Sequence, residues 1–253
     1  MSRMVSKRKR SSRDEYILTE QLKIEEGVFE KRTMMRMKKF FTHNIISKLE
    51  FIIAKGKEAD VYLADHGSAV PEEYVAVKIF RLETSSFGKR IDYIYGDPRF
   101  SRIKSGIYGI VSEWCKKEYS NLKIAEAAYV HSPKSYMFSG NILTMEFIGD
   151  ADGEPSPTLK SAGAEDPISA LNSIIEDMKK LYQRDLVHGD ISEYNILMKD
   201  GVPYIIDFGQ AVVTDHPKAM EFLRRDISVI LSYFRKRYGI EKDAEKTFGY
   251  VTS

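Results

Sequence analysis

The sequence predicts an α+β protein of two lobes, a small antiparallel sheet followed by a mostly helical unit. Hydrophobic and polar residues alternate in short runs between residues 49 and 80, which is the period of half-buried strands. The stretch GDADGEPSPTLKSAGAED, rich in glycine and proline, then interrupts the pattern. After it, apolar residues recur at helical spacing. With 253 residues and 43% hydrophobic content, the chain can bury a sizeable core.

These changes in pattern divide the chain into four parts. We place a basic tail at residues 1–23, a first lobe with an N-terminal helix at 24–148, a linker at 149–160 and a second lobe at 161–253. Residues 1–13 hold six basic and no acidic side chains, so a net charge of +2 leaves the remainder near −4. Such a tail favours contact with a phosphate backbone through counterion release. A solvated terminus without a partner is the equally supported alternative.

The composition argues against a membrane-spanning or disulfide-stabilised protein. No apolar run approaches the roughly 18 residues that a membrane span needs, and the basic start leads into EYILTEQL rather than an apolar signal core. The single cysteine, Cys115, permits neither an internal disulfide nor a cysteine-based metal site. We therefore expect a cytoplasmic protein with no membrane partner.

The first lobe begins with a helix and three short strands. Basic residues interleave with Met34, Met37 and Phe40 in residues 29–49, which favours a helix packed on the lobe with a solvated basic face. The runs LEFIIA, ADVYLAD and YVAVKIF then alternate with period two and are separated by turn residues.

Two residues of this region point to phosphate binding. Lys78 lies inside an apolar strand, where its amine should be directed at an anion, here the phosphates of ATP; the alternative is an edge-strand lysine that reaches solvent. Gly56 lies in the first turn, where a backbone without a Cβ can approach a phosphate closely. The sequence has no G-x-G-x-x-G or Walker lysine motif, so Gly56 is a candidate phosphate-binding residue only because Lys78 follows on the third strand.

A long loop and a helix follow the three strands. Residues 84–110 have neither period and are rich in glycine, serine and tyrosine, which predicts a long mobile loop of a kind that is usually functional or disordered. The helix should run from about Ser112 to Tyr129. Glu118 falls on its apolar face and should seek a cation inside the fold, for which Lys78 is the best candidate. A carboxylate at the edge of the buried stripe is the alternative.

A second hairpin ends the first lobe. The residues at 135–138 and 142–148 predict two strands, and the stretch rich in glycine and proline after them marks the boundary between the lobes. If a nucleotide binds between the lobes, the main chain of Glu146 and Ile148 would hydrogen-bond adenine. Met145 would then pack beside the base.

The second lobe should begin with a capped helix. Asp166 is placed to cap its first turn and Pro167 to occupy its first position. Six apolar residues at helical spacing define the predicted buried stripe: Ile168, Leu171, Ile174, Ile175, Met178 and Leu181.

The strongest chemical signal is H-x-D-x-x-x-x-N at His188, Asp190 and Asn195, with Asp207-Phe208-Gly209 beginning twelve residues after the asparagine. Between them, Asp200-Gly201 favours a tight hairpin that folds Asn195 and Asp207 back toward each other. Asp190 is placed to accept the proton of an attacking hydroxyl or water. Asn195 and Asp207 are oxygen ligands suited to Mg²⁺, or to Mn²⁺, bridging the phosphates of ATP. The pattern predicts a phosphoryl-transfer centre.

The 44 residues after Gly209 predict mostly one helix, from about Pro217 to Tyr238. Asp226 lies on its apolar face. A buried carboxylate there would brace backbone amides of the catalytic loop, or it would pair with Arg224 or Arg225.

Residues 24–253 resemble the RIO family of atypical protein kinases, specifically its first subfamily, which lacks the winged-helix domain of the second. The resemblance rests on LVHGDISEYNIL, YIIDFGQAV, KGKEADVY and HPKAMEFLRRD, which together cover both lobes. The family's phosphate loop usually reads STGKEANVY, and Ala54, Lys55 and Asp60 depart from that pattern.

The resemblance implies a two-lobed protein-kinase-like fold with a reduced helical C-lobe. It implies that Lys78 and Glu118 form an ion pair, that Asp190 is the catalytic acid/base, and that Asn195 and Asp207 hold Mg²⁺. Members of the family can also pass the γ-phosphoryl group to the metal-binding aspartate, here Asp207. The implied activity is that of an ATP-dependent serine/threonine kinase and ATPase in maturation of the small ribosomal subunit, with rRNA and proteins of the pre-ribosomal particle as partners.

Two departures from ordinary protein kinases carry physical meaning. Gly189 stands where H-R-D kinases place the arginine that reads a phosphorylated activation loop, and no A-P-E follows Gly209. With no activation segment and no peptide-binding helices, water is easier to position than a foreign hydroxyl, so we expect ATP hydrolysis to be the main reaction.

Two other functions remain open from the residues alone. A small-molecule phosphotransferase of the aminoglycoside-kinase type also uses H-G-D-x-x-x-x-N, and a non-enzymatic assembly factor could hold ATP as a structural ligand. The pattern leaves the oligomeric state undetermined.

Overall fold

The computed structural model describes residues 31–82, 93, 96–100 and 106–253. The predicted basic tail and most of the predicted mobile loop lie outside these residues. In the described part of the chain, no helix combines the length and the apolar composition needed to cross a membrane.

The first lobe is a five-stranded antiparallel sheet with two helices packed against it. Its elements are α1 (Lys31–Thr42), β1 (Ile46–Lys55), β2 (Ala59–His66), β3 (Tyr74–Phe80), α2 (Ile107–Ala127), β4 (Ser135–Ser139) and β5 (Ile142–Glu146). The strand order β1-β2-β3-β5-β4 puts β3 in the centre. Lys78 on β3 lies opposite Val61 on one side and Leu143 on the other. It is therefore not an edge-strand lysine.

The apolar side of α1 holds that helix on the sheet. Met34, Met37 and Phe40 are buried in one cluster with residues of β1, β2, β3 and β5. Lys38 and Lys39 point to solvent. The predicted helix and its solvated basic face are confirmed, although the helix ends at Thr42.

Helix α2 begins at Ile107, about five residues before the predicted start, so the predicted loop 84–110 extends too far at its C-terminal end. The guanidinium groups of Arg32 and Arg36 lie over the ring of Tyr108 at 5.5 and 5.7 Å from its centroid. These cation–π contacts tie the first turn of α2 to α1. The first turn of α2 was missed because contacts with α1 stabilise it, and hydrophobic periodicity along the sequence does not record such contacts.

The second lobe consists of helices and short two-stranded ladders. Its elements are α3 (Leu159–Ala162), α4 (Pro167–Tyr182), β6 (Leu186–Val187), β7 (Ile196–Lys199), β8 (Val202–Ile205), β9 (Val212–Val213), α5 (Ala219–Tyr238) and α6 (Ala244–Val251). The Asp166 side chain caps α4 by accepting a hydrogen bond from the Ser169 amide at 3.0 Å, as predicted.

Two expectations for this lobe were wrong. Ile168 is 62% exposed, because burial of α4 begins only at Ala170 and the first turn lies beyond the packed layer. Helix α6 was also missed. It is only eight residues long and mostly exposed, and it buries little more than Thr247 and Val251 where it packs against α4 and α5. Asp243, which caps it through the Lys246 amide, was the available signal.

Candidate active site

Lys78 is the centre of a three-residue charge cluster between the lobes. Its Nζ donates to Oε1 and Oε2 of Glu118 at 2.7 and 2.9 Å, and to Oδ1 of Asp207 at 3.1 Å. The predicted contact between Lys78 and Glu118 is therefore present. Central strand β3 supplies the lysine, α2 the glutamate and the segment after β8 the aspartate.

The electrostatics keep the Lys78 side chain charged. Burial by itself would lower the pKa of Lys78, but the nearby carboxylates of Asp207 and Glu118 outweigh it and raise that pKa. Glu118 is almost fully buried, whereas the side chain of Asp207 is 48% exposed. The cluster therefore has one side inside the protein and one side open to a ligand.

The loop that carries Asp190, the candidate catalytic base, begins at His188, whose imidazole is buried. Nε2 lies 3.2 Å from the carbonyl oxygen of Ile206, and Nδ1 accepts a hydrogen bond from the Asp190 amide at 3.3 Å. Burial lowers the pKa of His188 to about 4, so the ring is neutral at pH 7. The two contacts fit one neutral tautomer, with the proton on Nε2. The ring thereby fixes the backbone on which Asp190 is carried.

Asp226 on α5 hydrogen-bonds to the backbone of the same loop. Its Oδ2 accepts from the Gly189 amide at 2.7 Å, and its Oδ1 accepts from the Ile191 amide at 3.2 Å. Arg225 donates to the carbonyl oxygen of Gly189. The backbone at Gly189 has φ 77°, a left-handed conformation that favours glycine. The predicted bracing role of Asp226 is borne out by these contacts.

The β7–β8 hairpin brings the two candidate metal ligands together. Asp200 and Gly201 both have positive φ, as a tight two-residue hairpin turn requires. The Ile206 amide donates to the carbonyl oxygen of Asn195 at 3.0 Å. Asp207 itself adopts left-handed backbone angles, φ 64° and ψ 67°, immediately after β8.

The carboxylate of Asp190 is held by two amide side chains. Asn195 Nδ2 donates to its Oδ2 at 3.1 Å, and Gln210 Nε2 donates to the same oxygen at 3.0 Å. Gln210 was missed as a site residue. Its position directly after Asp207-Phe208-Gly209 was the available signal.

At the end of β5, some of the main-chain groups that could hydrogen-bond an adenine base are already used within the protein. The Glu146 amide already donates to the Lys134 carbonyl at 2.8 Å, and the Ile148 carbonyl already accepts from the Ser156 amide at 3.0 Å. An adenine would therefore use the Glu146 carbonyl and the Ile148 amide. Met145 precedes them, is partly buried and packs against two hydrophobic clusters, the main core and the small cluster of Leu63, Ala76 and Phe147.

Gly56 closes the β1–β2 hairpin. Its amide donates to the Ala59 carbonyl at 2.9 Å, and an added Cβ would come within 2.8 Å of that oxygen. Hairpin closure alone therefore accounts for the glycine, and its contact with a phosphate remains a prediction. Asp60, one of the departures in this loop, forms an ion pair with Arg81 at 2.6 Å.

The donor set fits a magnesium ion that is shared with a nucleotide. Among the residues that the structure describes, no three His, Cys, Asp or Glu side chains form a ready cage for a metal. Asn195 and Asp207 instead offer two hard oxygen donors beside the Lys78 cluster. Mg²⁺ is commonly bound through one or two carboxylates together with waters and substrate phosphates.

Comparisons with known proteins show the family of this chain. Residues 60–247 match the family model described as the RIO domain. The chain is 37% identical over 252 residues to the RIO-type serine/threonine-protein kinase Rio1 of Haloferax volcanii, covering 98% of this chain and 85% of that protein. It is 43% identical over 180 residues to the Rio1 protein of Thermoplasma acidophilum, covering 71% of this chain and 94% of the relative.

A solved structure shares the fold. The Rio2 kinase of Chaetomium thermophilum, in its ADP/Mg²⁺–phosphoaspartate complex, superposes with a TM-score of 0.66 at 22% identity. The match covers 87% of this chain and 66% of the Rio2 chain. The kinase-like, α+β fold predicted from the sequence is therefore confirmed.

Proposed function

The chain belongs to the RIO family of protein kinases, and on that premise we propose that it is an atypical serine/threonine kinase and ATPase that uses ATP with Mg²⁺. The observation that carries the proposal is the position of Lys78, which contacts both Glu118 and Asp207. This arrangement offers one cation to the phosphates and one exposed carboxylate to a metal.

Each site residue has a separate role in the proposed reaction. Glu118 holds the Lys78 ammonium at the depth where the phosphates of ATP would lie, and Asp190 accepts the proton of the attacking hydroxyl or water. Asn195 and Asp207 would hold the metal. When bound, Mg²⁺ supplies positive charge that offsets the charge on the phosphate oxygens. The main-chain groups of Glu146 and Ile148 orient the adenine.

We propose further that Asp207 itself can accept the γ-phosphoryl group. A carboxylate oxygen of Asp207 would attack the γ-phosphorus while the bond from that phosphorus to the bridging oxygen of ADP breaks. Water would then cleave the acyl phosphate and release inorganic phosphate, which restores the carboxylate. The half-exposed side chain of Asp207 and its contact with Lys78 support this step. The phosphoaspartate complex of the Rio2 kinase offers a parallel.

The proposed cellular role is a switch in maturation of the small ribosomal subunit. The ATP-bound form would hold the pre-ribosomal particle, and hydrolysis would release it. Support comes from the family resemblance and from the basic sequence at residues 1–13, which lies outside the described residues. Six phosphate contacts by that segment would give a log–log salt slope of up to about −4 to −5, at ~0.7–0.9 per phosphate. Deleting the segment should flatten the slope without changing basal turnover.

The test of the enzyme is incubation with γ-labelled ATP and Mg²⁺, with and without small ribosomal subunits. Free phosphate and labelled protein are measured together. Asp190→Ala should reduce turnover by ~10²–10⁴-fold, the usual cost of losing a catalytic base. ATP affinity should stay within about threefold, because Asp190 faces the nucleophile rather than the nucleotide. Asp215→Ala, which changes an exposed aspartate, is the matched control.

The acyl-phosphate step needs a separate readout. Hydroxylamine added during turnover should convert Asp207 to a hydroxamate that mass spectrometry locates, and Asp207→Asn should give none. If turnover leaves only hydroxylamine-stable phosphoserine on a partner, with free phosphate at background, the switch is wrong and a conventional kinase reaction replaces it.

A further inference from the structure

Lys117 is a buried lysine that the sequence pattern did not predict. It precedes Glu118 on α2, and its side chain is completely buried. Its Nζ donates to the carbonyl oxygen of Gly209 at 3.1 Å and to that of Ala211. The ammonium therefore lies behind the segment that carries Asp207.

Asn121, one turn further along α2, contacts the same segment. Its Nδ2 donates to the carbonyl oxygens of Phe208 and Ala211 at 2.9 and 3.0 Å. Its Oδ1 accepts from Arg99 at 2.9 Å, and Arg99 is paired with the buried carboxylate of Asp97 at 2.6 Å. Two side chains of one helix thus bind three carbonyl groups around the turn Phe208–Gln210, those of Phe208, Gly209 and Ala211.

Burying a lysine in this way is costly. Among the described residues, no carboxylate hydrogen-bonds to Lys117, and burial lowers the pKa of Lys117 to about 7, with Asp97 and Glu118 opposing the shift through space. An apolar side chain of similar length would fill the space without that penalty. The hydrogen bonds that the lysine donates all go to the backbone of one turn. Its benefit must therefore lie in the geometry of that turn.

We propose that Lys117 and Asn121 are positioning residues for the metal site, because they hold the turn Phe208–Gln210 so that Asp207 and Gln210 face the nucleotide. A non-glycine residue in left-handed backbone angles, as at Asp207, is strained and persists only where its surroundings fix it. The three carbonyl contacts supply that fixation. They do so without a phosphorylated activation segment.

The proposal also links two parts of the site through one helix. Glu118 holds Lys78, and the adjacent Lys117 holds the turn after Asp207. A shift of α2 would therefore displace the phosphate-binding lysine and the metal-binding aspartate together. This inference rests on the proposed function, because it assumes that Asp207 is a metal ligand.

The test compares Lys117→Met with Lys116→Met in the full-length protein. Lys116 is the neighbouring exposed lysine on the same helix, so the same substitution there should change neither turnover nor metal dependence. In Lys117→Met, the Mg²⁺ concentration for half-maximal turnover should rise by about tenfold or more, the usual effect of losing a residue that orients a metal ligand. Affinity for ATP without metal should change less than about threefold.

Hydrogen–deuterium exchange gives a second readout that needs no turnover. Amides of residues 207–212 should exchange faster in Lys117→Met, while the β-sheet amides stay as in the wild type. If Lys117→Met does not fold, Asn121→Leu, which removes the donor to the Phe208 and Ala211 carbonyls, takes its place.

The outcomes separate the two proposals. A folded variant with an unchanged Mg²⁺ midpoint and unchanged exchange at 207–212 overturns the positioning role, and so does failure of both variants to fold, because the residues would then serve general stability. If the wild type shows no Mg²⁺-dependent turnover, the proposed function fails, and the exchange experiment still tests whether Lys117 holds the turn.

Discussion

Gln210 donates a hydrogen bond from Nε2 to Oδ2 of Asp190 at 3.0 Å, across the gap between the catalytic loop and the turn after Asp207. Asn195 donates to the same oxygen. Two neutral amides therefore fix the orientation of the carboxylate without neutralising it. The proposed base, Asp190, is thus oriented by Asn195 from its own loop and by Gln210 from the turn after Asp207.

Replacing Gln210 by leucine should lower turnover while leaving ATP affinity unchanged. A hydrogen bond to a charged group contributes about 1.5–3 kcal/mol, so the loss should be roughly ten- to a hundredfold if the bond positions Asp190 in the transition state. Steady-state kinetics separate kcat from KM. Asn172→Leu, at a distant polar position on α4, is the control. A wild-type kcat in Gln210→Leu would show that Asp190 needs no such support.

Removing Glu118 should restore the stability that is lost when Lys78 is replaced, but it should not restore ATP turnover. Lys78→Met leaves Glu118 buried without its partner, which typically costs about 3–5 kcal/mol. The double variant Lys78→Met/Glu118→Leu should recover most of that loss, because both charges are gone, and it should still lack turnover. Urea unfolding and ATP turnover measure the two quantities. A double variant as unstable as the single one would mean that Glu118 is not paired chiefly with Lys78.

Much of this site could be predicted from the sequence, because its residues lie in short motifs with fixed local geometry. The hairpin at Asp200-Gly201 and the cap at Asp166 follow from local turn and helix chemistry. Lys117 could not be assigned in this way, and the only local signal for Gln210 was its position directly after Asp207-Phe208-Gly209. Their partners are backbone carbonyls and a carboxylate about 90 and 20 positions away, and no period records such contacts.

His188 should make the protein sensitive to acid. The pKa of His188 falls from an ordinary 6.5 to about 4 in the folded state, so between these values the unfolded chain binds more protons. The stabilisation is complete above about pH 6.5 and is lost as the pH falls toward 4, by about 3 kcal/mol at most. In His188→Phe that loss should disappear, whereas His43→Phe, at an exposed histidine, should keep it. Urea unfolding between pH 7 and 4.5 measures the difference.

Asp226 should have the opposite effect on the pH dependence of stability, over nearly the same pH range as His188. Burial raises the pKa of Asp226 from 3.8 to about 7, against the two amide hydrogen bonds that lower it. The folded state therefore binds more protons than the unfolded chain between about pH 4 and 7, so the contribution of Asp226 to stability grows as the pH falls. It partly offsets the loss at His188.

Asp226→Asn removes that offset and should make the acid sensitivity of the protein steeper. It also turns an amide donor toward Gly189 or Ile191, which should cost about 1–3 kcal/mol at pH 7 for the unmet contact. Turnover should fall with it, because the backbone on which Asp190 is carried loses its brace. Asp215→Asn is the matched control. An Asp226→Asn protein whose stability falls no faster than that of the wild type between pH 7 and 4.5 would show that Asp226 is already ionised across this range in the folded state.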